Sequence, residues 1–348
     1  MAVATIGQGE AGAAGLAEVA IAGRRLRPTA VFDTYWRFAA ERQEVYRRKL
    51  AGQAPPWTSD PILGAHRFTN CYRASDRVSQ YLIGQVSYRG DQQWREVFFR
   101  TLLFKLFNRI STWRLLSAAV GEVSWSGYRR QAYEAVLGAA LERGQRIYSP
   151  AYLMPQPPLG ADRKHGNHLR LLELMMADGA PERVAEAPSM EHAFEVLKGY
   201  PGLGRFLAFQ FLIDLNYSSL LAFEEMDFVV AGPGACDGIR KCFGPASAGI
   251  EAEVIRYVTD TQQQHFQRLG LDFEGLGGRR PLQLIDCQNL FCETDKYARV
   301  AHPEVSGISG RVRIKQTYRA DTAPMTAWFP PKWKINGEEL PPADPHAR

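Results

Sequence analysis

Apolar residues recur at helical spacing along most of this chain. Phe32, Trp36, Phe38 and Ala39 open an amphipathic pattern that runs through the charged stretch from Glu41 to Lys49 and stops at Gly52 to Pro56, residue types that end helices. Similar patterns predict helices over roughly 75–85, 91–108, 112–120, 126–143, 168–177, 189–197, 206–216 and 248–270. Alternation of period two is scarce, so the fold class expected is all-α. The run from Phe206 to Leu215 is apolar nearly all round, with Gln210 and Asp214 as exceptions, which predicts a buried helix. Residues 1–25, rich in Ala and Gly without a period, read as a flexible lead-in. Residues 26–300 form the helical domain, and the proline-bearing stretch 150–166 suits a link between two helical lobes. Residues 301–348 are a C-terminal extension; Trp328, Phe329 and Trp333 within it are expected to dock, because such side chains are costly to leave in water.

Composition adds limits. With 45% hydrophobic and 23% charged residues, and no apolar run long enough to span a bilayer, a cytoplasmic protein with no membrane partner is expected. Lys and Arg exceed Asp and Glu by 42 − 37 = 5, which is compatible with a nucleic-acid partner and does not establish one. Five cysteines, an odd number, read as thiols rather than a disulfide framework. The spacings Cys236/Cys242 and Cys287/Cys292 fit no usual zinc or cluster loop, so no metal is expected. The pair in His165-Gly166-Asn167-His168 reads as a surface loop. A Gly-x-x-x-x-Gly-Lys-Ser/Thr loop is absent from the sequence, which excludes P-loop kinase chemistry from these residues.

Three clusters carry candidate chemistry. In the first, Tyr200-Pro201-Gly202-Leu203-Gly204-Arg205 opens onto the apolar helix. Gly202 and Gly204 would let main-chain N–H groups at a helix N-terminus face a DNA phosphate; a packed helix with a glycine start reads equally well. Asp227 lies 23 residues beyond Gly204, ahead of Gly232-Pro233-Gly234-Ala235. This order resembles the core of helix-hairpin-helix DNA glycosylases, with Asp227 as the catalytic carboxylate and the hairpin glycines, Gly232 and Gly234 contacting DNA. Phe206 stands where lyase-type members carry a nucleophilic lysine, so lyase chemistry is not expected.

The second cluster joins Trp57-Thr58-Ser59-Asp60 to Thr69-Asn70-Cys71-Tyr72-Arg73-Ala74-Ser75-Asp76-Arg77. Asp60, Ser75 or Asp76 could cap helices, while Asn70 could read a base edge and Arg73 and Arg77, four apart on one helical face, could grip phosphate. The third is Cys292-Glu293-Thr294-Asp295-Lys296-Tyr297-Ala298-Arg299. If it is helical, Glu293, Lys296 and Arg299 share a face, either as a surface ion pair or as a cation positioned for a phosphate leaving group.

Taken together, these motifs resemble the alpha-glutamyl/putrescinyl thymine pyrophosphorylase family, whose module is similar to the helical domain attached to 5-hydroxymethyluracil DNA kinases. The resemblance runs from about Phe32 to Arg299. It implies a helix-hairpin-helix glycosylase-like fold without a cofactor, acting in thymine hypermodification. There an amine or amino acid co-substrate replaces pyrophosphate on a modified pyrimidine in DNA. The roles implied are leaving-group stabilisation by Arg73, Arg77 and Lys296, and base or substrate contacts by Trp57, Thr58, Asp60, Thr69, Asn70, Asp76, Glu293, Tyr297 and Arg299. DNA contacts fall to Gly202, Gly204, Arg205, Gly232 and Gly234, and proton transfer from the amine to Asp227. Rival readings are a monofunctional DNA glycosylase and a non-catalytic DNA-binding module partnering a 5-hydroxymethyluracil DNA kinase.

Overall fold

The computed structural model describes residues 17–323, 325–337 and 339–347. Residues up to Asp76 carry a two-stranded antiparallel ribbon, β1 (Val19–Ile21) and β2 (Arg24–Leu26), then α1 (Ala30–Leu50) and α2 (Pro61–Ala65). From Arg77 to Asp227 follow α3 (Arg77–Tyr81), α4 (Trp94–Phe107), α5 (Ile110–Val120), α6 (Arg130–Glu142), α7 (Lys164–Ala177), α8 (Ala180–Ala185), α9 (Met190–Lys198) and α10 (Arg205–Asn216). Beyond lie α11 (Pro233–Phe243), α12 (Glu251–Asp260), α13 (Gln262–Arg268) and α14 (Leu284–Ala301). With one short ribbon as the sheet structure among the described residues, the protein is all-α. The chain divides into two compact units, one made of the residues up to Asp76 with Phe228–Ala327, the other of Arg77–Asp227 with the residues from Trp328 onward. The stretch 150–166 is internal to the second unit, and the extension beyond 301 contributes to both.

In the first unit α14 is the central element, packed against α11, α1 and α12. Its Leu284, Ile285, Leu290, Phe291, Tyr297 and Ala298 are buried, and so are its polar Asp286, Gln288, Thr294 and Asp295. Such a helix is legible as amphipathic only in part. The closest approach is made by α11: a Cβ at Gly238 would overlap the carbonyl oxygen of Phe291, and one at Gly234 would stand 2.9 Å from the Cys292 sulfur. Gly232 and Gly234, expected at a DNA surface, therefore serve as the start of α11 and as packing room for α14. Lys241 on α11 forms a buried ion pair with Asp295 on α14 at 3.0 Å. An aromatic cluster of Phe32, Trp36 and Phe266, with Tyr35 against Phe291 at 4.6 Å, fills the space between α1 and its neighbours.

The lead-in expected over 1–25 falls partly outside the described residues. Where it is described it is paired backbone: Ala22 and Gly23 turn β1 into β2 with positive φ, and Ile21 and Leu26 are buried. Two buried apolar residues give too little alternation to register as strands. The single helix expected over 248–270 breaks at Thr261, whose hydroxyl donates to the Tyr257 carbonyl at 2.7 Å, a local bond that competes with helix continuation.

In the second unit α10 is buried almost throughout, as its apolar run predicts, and so is α4, although Glu96, Arg100 and Lys105 interrupt its apolar residues. Lys105 and Asp214 pair across them at 2.9 Å, both nearly inaccessible. Trp328 and Phe329 are buried, and Lys332 donates to the carbonyls of Asn216, Ser218 and Leu221 near the end of α10. His165 and His168, expected on a surface loop, lie in the first turns of α7 and are buried. His168 bridges the Tyr148 hydroxyl at 2.7 Å and the Pro155 carbonyl at 2.8 Å, and burial pushes its pKa down to about 4.

The contact between α11 and α14 gives a signed prediction. Alanine inside a helix normally gains about 0.5–1 kcal/mol over glycine, yet Gly238→Ala should lower unfolding free energy by about 1–3 kcal/mol, because the added methyl has no free space. Gly204→Ala, where an added Cβ meets nothing within 4 Å, should cost at most about 1 kcal/mol as an altered helix cap. Urea denaturation of both variants checks the order, and a Gly238→Ala protein as stable as the parent contradicts the packing described.

Candidate functional site

The helix α14 and the irregular segment 66–76 bring the second and third motif clusters together in the first unit. Asp60 caps α2 by accepting from the Leu63 N–H at 2.7 Å, and its other oxygen accepts from the Tyr297 hydroxyl at 2.8 Å. Thr69 donates its N–H to Glu293 at 3.0 Å. Glu293 pairs with Lys296 at 2.7 Å, and the Lys296 ammonium lies 4.6 Å from the centre of the Phe68 ring. Of the three residues expected on one face, α14 presents Glu293 and Lys296 together, with Tyr297 towards Asp60, while Arg299 pairs elsewhere.

The loop is held by its own polar groups. Asn70 donates its side-chain amide to the Ser75 carbonyl at 2.8 Å and its N–H to Asp76 at 2.9 Å, while its side-chain oxygen accepts from Arg42 on α1. Asn70 is buried and bonds through both its side-chain amide and its side-chain oxygen, so it shapes the loop. Arg73 is 3% exposed and donates its N–H to Asp286 at 2.9 Å. It begins a 3-10 turn (Arg73–Ser75), and the extended backbone of Asp76 separates that turn from α3. Arg73 and Arg77 therefore do not share a helical face, and Arg77, exposed, belongs to the second unit. Trp57 is buried, with its indole N–H donated to the Gln53 carbonyl at 2.6 Å, and Thr58 donates its hydroxyl to Glu41 at 2.6 Å. The role of base contact expected of Trp57 does not fit a side chain committed to the interior.

What remains partly accessible is a mixed-charge group: Glu41, Arg42, Asp76, Glu293 and Lys296. Burial pushes the Asp76 carboxyl up to about 6; the Asn70 N–H and Arg42 oppose the shift, and the Glu293 carboxylate reinforces it. A carboxyl with this value exchanges its proton near neutrality, which suits general acid–base work. Glu41 and Arg42 were missed by sequence reasoning, since each reads as one more charge on the polar stretch of α1. Arg299 turns the other way on α14, pairing with Asp295 at 2.5 Å and donating to the Arg313 carbonyl at 3.1 Å.

The glycine turn and Asp227 belong to the second unit. Leu203 donates its N–H to the Tyr200 carbonyl at 3.1 Å, closing a turn with Pro201 and Gly202 at its centre, and Gly202 has φ +84°, a conformation glycine adopts without strain. Gly204 has an ordinary φ of −66° and caps α10 without a side-chain bond, so only one of the two glycines is demanded by backbone conformation. Gly204 and Arg205 are exposed, and α9 and α10 flank the turn as a helical hairpin. Asp227 is exposed in a turn in which its N–H donates to the Glu224 carbonyl at 3.2 Å.

A carboxyl whose folded pKa is raised binds more protons in the native than in the unfolded state between about pH 4 and 6, so it destabilises the fold increasingly as pH rises through that window. Asp76→Asn keeps an acceptor for the Asn70 N–H and removes the titration. Relative to the parent, the variant should therefore gain on the order of 2 kcal/mol between pH 4 and pH 7. Denaturant titrations at the two pH values measure this difference; a pH-independent gap between the proteins rules out the raised value.

The chain is similar to known proteins over most of its length. Residues 29–307 match the family described as the helical domain of 5-hmdU DNA kinase. A 5-hmdU DNA kinase of Bacillus phage SP10 is 25% identical over 286 residues, covering 77% of this chain. The chain spans less than half of that relative, 45% of its length. No solved structure matches. The matched stretch takes in the 57–60 and 69–77 motifs, the glycine turn, Asp227 and the whole of α14, and on that ground the chain belongs to the family of the 5-hmdU DNA kinase helical domain.

Proposed function

We propose that this protein acts on DNA in thymine hypermodification, replacing pyrophosphate on a pyrophosphorylated 5-hydroxymethyluracil by an amine or amino acid. The observation that carries the reading is the convergence of Asp76, Glu293, Lys296 and Arg42 in a chain of the 5-hmdU DNA kinase helical-domain family. In the reaction the bond from the exocyclic carbon to the pyrophosphate oxygen breaks and a carbon–nitrogen bond forms. Pyrophosphate departs with the electron pair, stabilised by Lys296 and Arg42. The amine nitrogen gives up a proton, for which Asp76, ionised above about pH 6, is the acceptor in this scheme. Arg42 replaces Arg73 and Arg77 in the leaving-group role, because Arg73 is buried in the loop scaffold.

A helix-hairpin-helix contact to DNA fits the turn at Gly202 and the bare N-terminus of α10. No helix among the described residues is long and apolar enough to cross a membrane. A second reading, a non-catalytic module that presents DNA to a 5-hydroxymethyluracil DNA kinase, is favoured by one observation: Trp57, Asp60, Asn70 and Tyr297 spend their polar groups on internal bonds.

Mass spectrometry of nucleosides digested from DNA that carries pyrophosphorylated 5-hydroxymethyluracil, after incubation with the protein and an amine pool, separates the readings. Formation of an amine-substituted thymidine with release of pyrophosphate is the expected result. DNA binding with no new nucleoside supports the module, and release of a free base supports a glycosylase. Lys296→Met should bind DNA normally and lose roughly 100-fold in turnover, as does removal of one electrostatic stabiliser elsewhere. Asp227→Asn tests the alternative in which Asp227 accepts the amine proton: near-normal binding with slower turnover would move that role from Asp76 to Asp227, and unchanged turnover leaves it with Asp76.

A further inference from the structure

Residues 305–320 contain Arg311, Arg313, Lys315 and Arg319 and no Asp or Glu. Four positive charges in sixteen residues, with no acidic residue among them, make this stretch locally basic. The four basic residues lie beyond the family match, which ends at residue 307. All four side chains are exposed, and among the described residues none makes an ion pair or donates a side-chain hydrogen bond.

The backbone beneath them is fixed. Ser309 donates its N–H to Asp237 at 2.7 Å, the Arg313 carbonyl accepts from Arg299 at 3.1 Å, and the Gln316 carbonyl accepts from the Arg67 N–H at 3.0 Å. Tyr318 donates to the Ala65 carbonyl at 2.9 Å, and His66 and Thr317 pair as an antiparallel bridge. These bonds lay the segment beside residues 65–67, directly before Phe68 and Thr69 of the candidate site. Beneath the segment, a cavity of about 180 Å³ is lined by Lys241, Arg299, His302 and Arg311. Lys241 and Arg299 share the single carboxylate of Asp295. The acidic groups facing the cavity's loop are Asp237, already accepting from Ser309, and Glu304, 3.6 Å from His302. Anchored backbone with unpaired cations above it is a surface built for a polyanion: the ordering cost is already met by the backbone bonds, and the side chains stay free to reach phosphates.

We propose that residues 309–319 form a strap that binds the phosphate backbone of DNA and holds the duplex or displaced strand next to the Glu293–Lys296 site. The proposal rests on the reading that the protein acts on DNA. It assigns the sequence-independent part of that binding to Arg311, Arg313, Lys315 and Arg319 rather than to the glycine turn.

The test is fluorescence anisotropy of the full chain with a labelled 20-base-pair duplex at a series of salt concentrations. Three variants accompany the parent: Arg311, Arg313, Lys315 and Arg319 all changed to Gln; the three arginines changed to Lys; and a charge-matched control with Arg25, Arg129, Arg143 and Arg146 changed to Gln. Four lost phosphate contacts should lower the slope of log affinity against log salt by roughly 3 to 4, which is about a 150-fold smaller affinity change between 50 and 200 mM salt. The Lys variant and the control should stay within a few-fold of the parent, and the melting temperature of the two strap variants should be unchanged, since the strap side chains support no internal bond. A strap variant with the parent's affinity and slope overturns the proposal and leaves DNA binding standing. So does an equal loss in the control, which would show a net-charge effect. A parent protein that does not bind DNA at any salt sinks the DNA reading, and the strap with it.

Discussion

The approach of α11 to α14 is the constraint on which the first unit depends. Glycine at 238 lets the backbone of one helix meet the Phe291 carbonyl of the other, and Gly234 makes room for Cys292 one turn away. Interiors are packed densely enough that this spacing fixes the rotation of α14. With α14 so set, Asp295 meets Lys241 in a buried pair, and Glu293, Lys296 and Tyr297 point to the segment 57–76. Removing one partner of a buried pair costs about 3–5 kcal/mol because the other charge is stranded. The register of α14, and so the geometry of the site, is therefore protected twice.

Around that helix the motif residues divide into two kinds. Asp60 and Tyr297 are buried and bond to each other, and Asn70 is buried and bonds to the Ser75 carbonyl, so they position the loop. Asp76, Glu293, Lys296 and Arg42 keep partial access to solvent and carry the charge. The raised Asp76 pKa is a consequence of this division: the loop that buries the carboxyl also supplies the Asn70 N–H that keeps it from rising further. A site held by a polar scaffold and worked by a few charged groups fits substitution chemistry, in which alignment and leaving-group stabilisation supply most of the rate.

Much of the fold was legible because its long helices follow their apolar period; α1, α4 and α10 stand where the pattern placed them. The helix α11 was not, because Gly232, Gly234, Gly238 and Gly244 read as turn residues, and only the four-residue spacing of Gly234 and Gly238 hints at helix packing. The ribbon at 19–26 escaped for want of residues, and the buried histidines of α7 because a short polar run hides which partners it will find. Within the site, the order of the motifs was legible, and so was the pairing of Glu293 with Lys296 at i,i+3. Single-sequence reading could not tell scaffold from working group: Asn70 and Arg73 have the same types whether they face DNA or the interior. Burial alone separates them, and burial is a tertiary property.

The central claim is that the segment 66–76 and α14 meet the modified pyrimidine. Hydrogen–deuterium exchange of the full chain, bound in turn to unmodified duplex and to the same duplex carrying pyrophosphorylated 5-hydroxymethyluracil, addresses it directly. Peptides covering 66–76 and 290–299 should gain protection with the modified duplex beyond that given by the unmodified one. Identical protection of those peptides by the two duplexes, with modification-dependent change confined to other parts of the chain, contradicts the assignment.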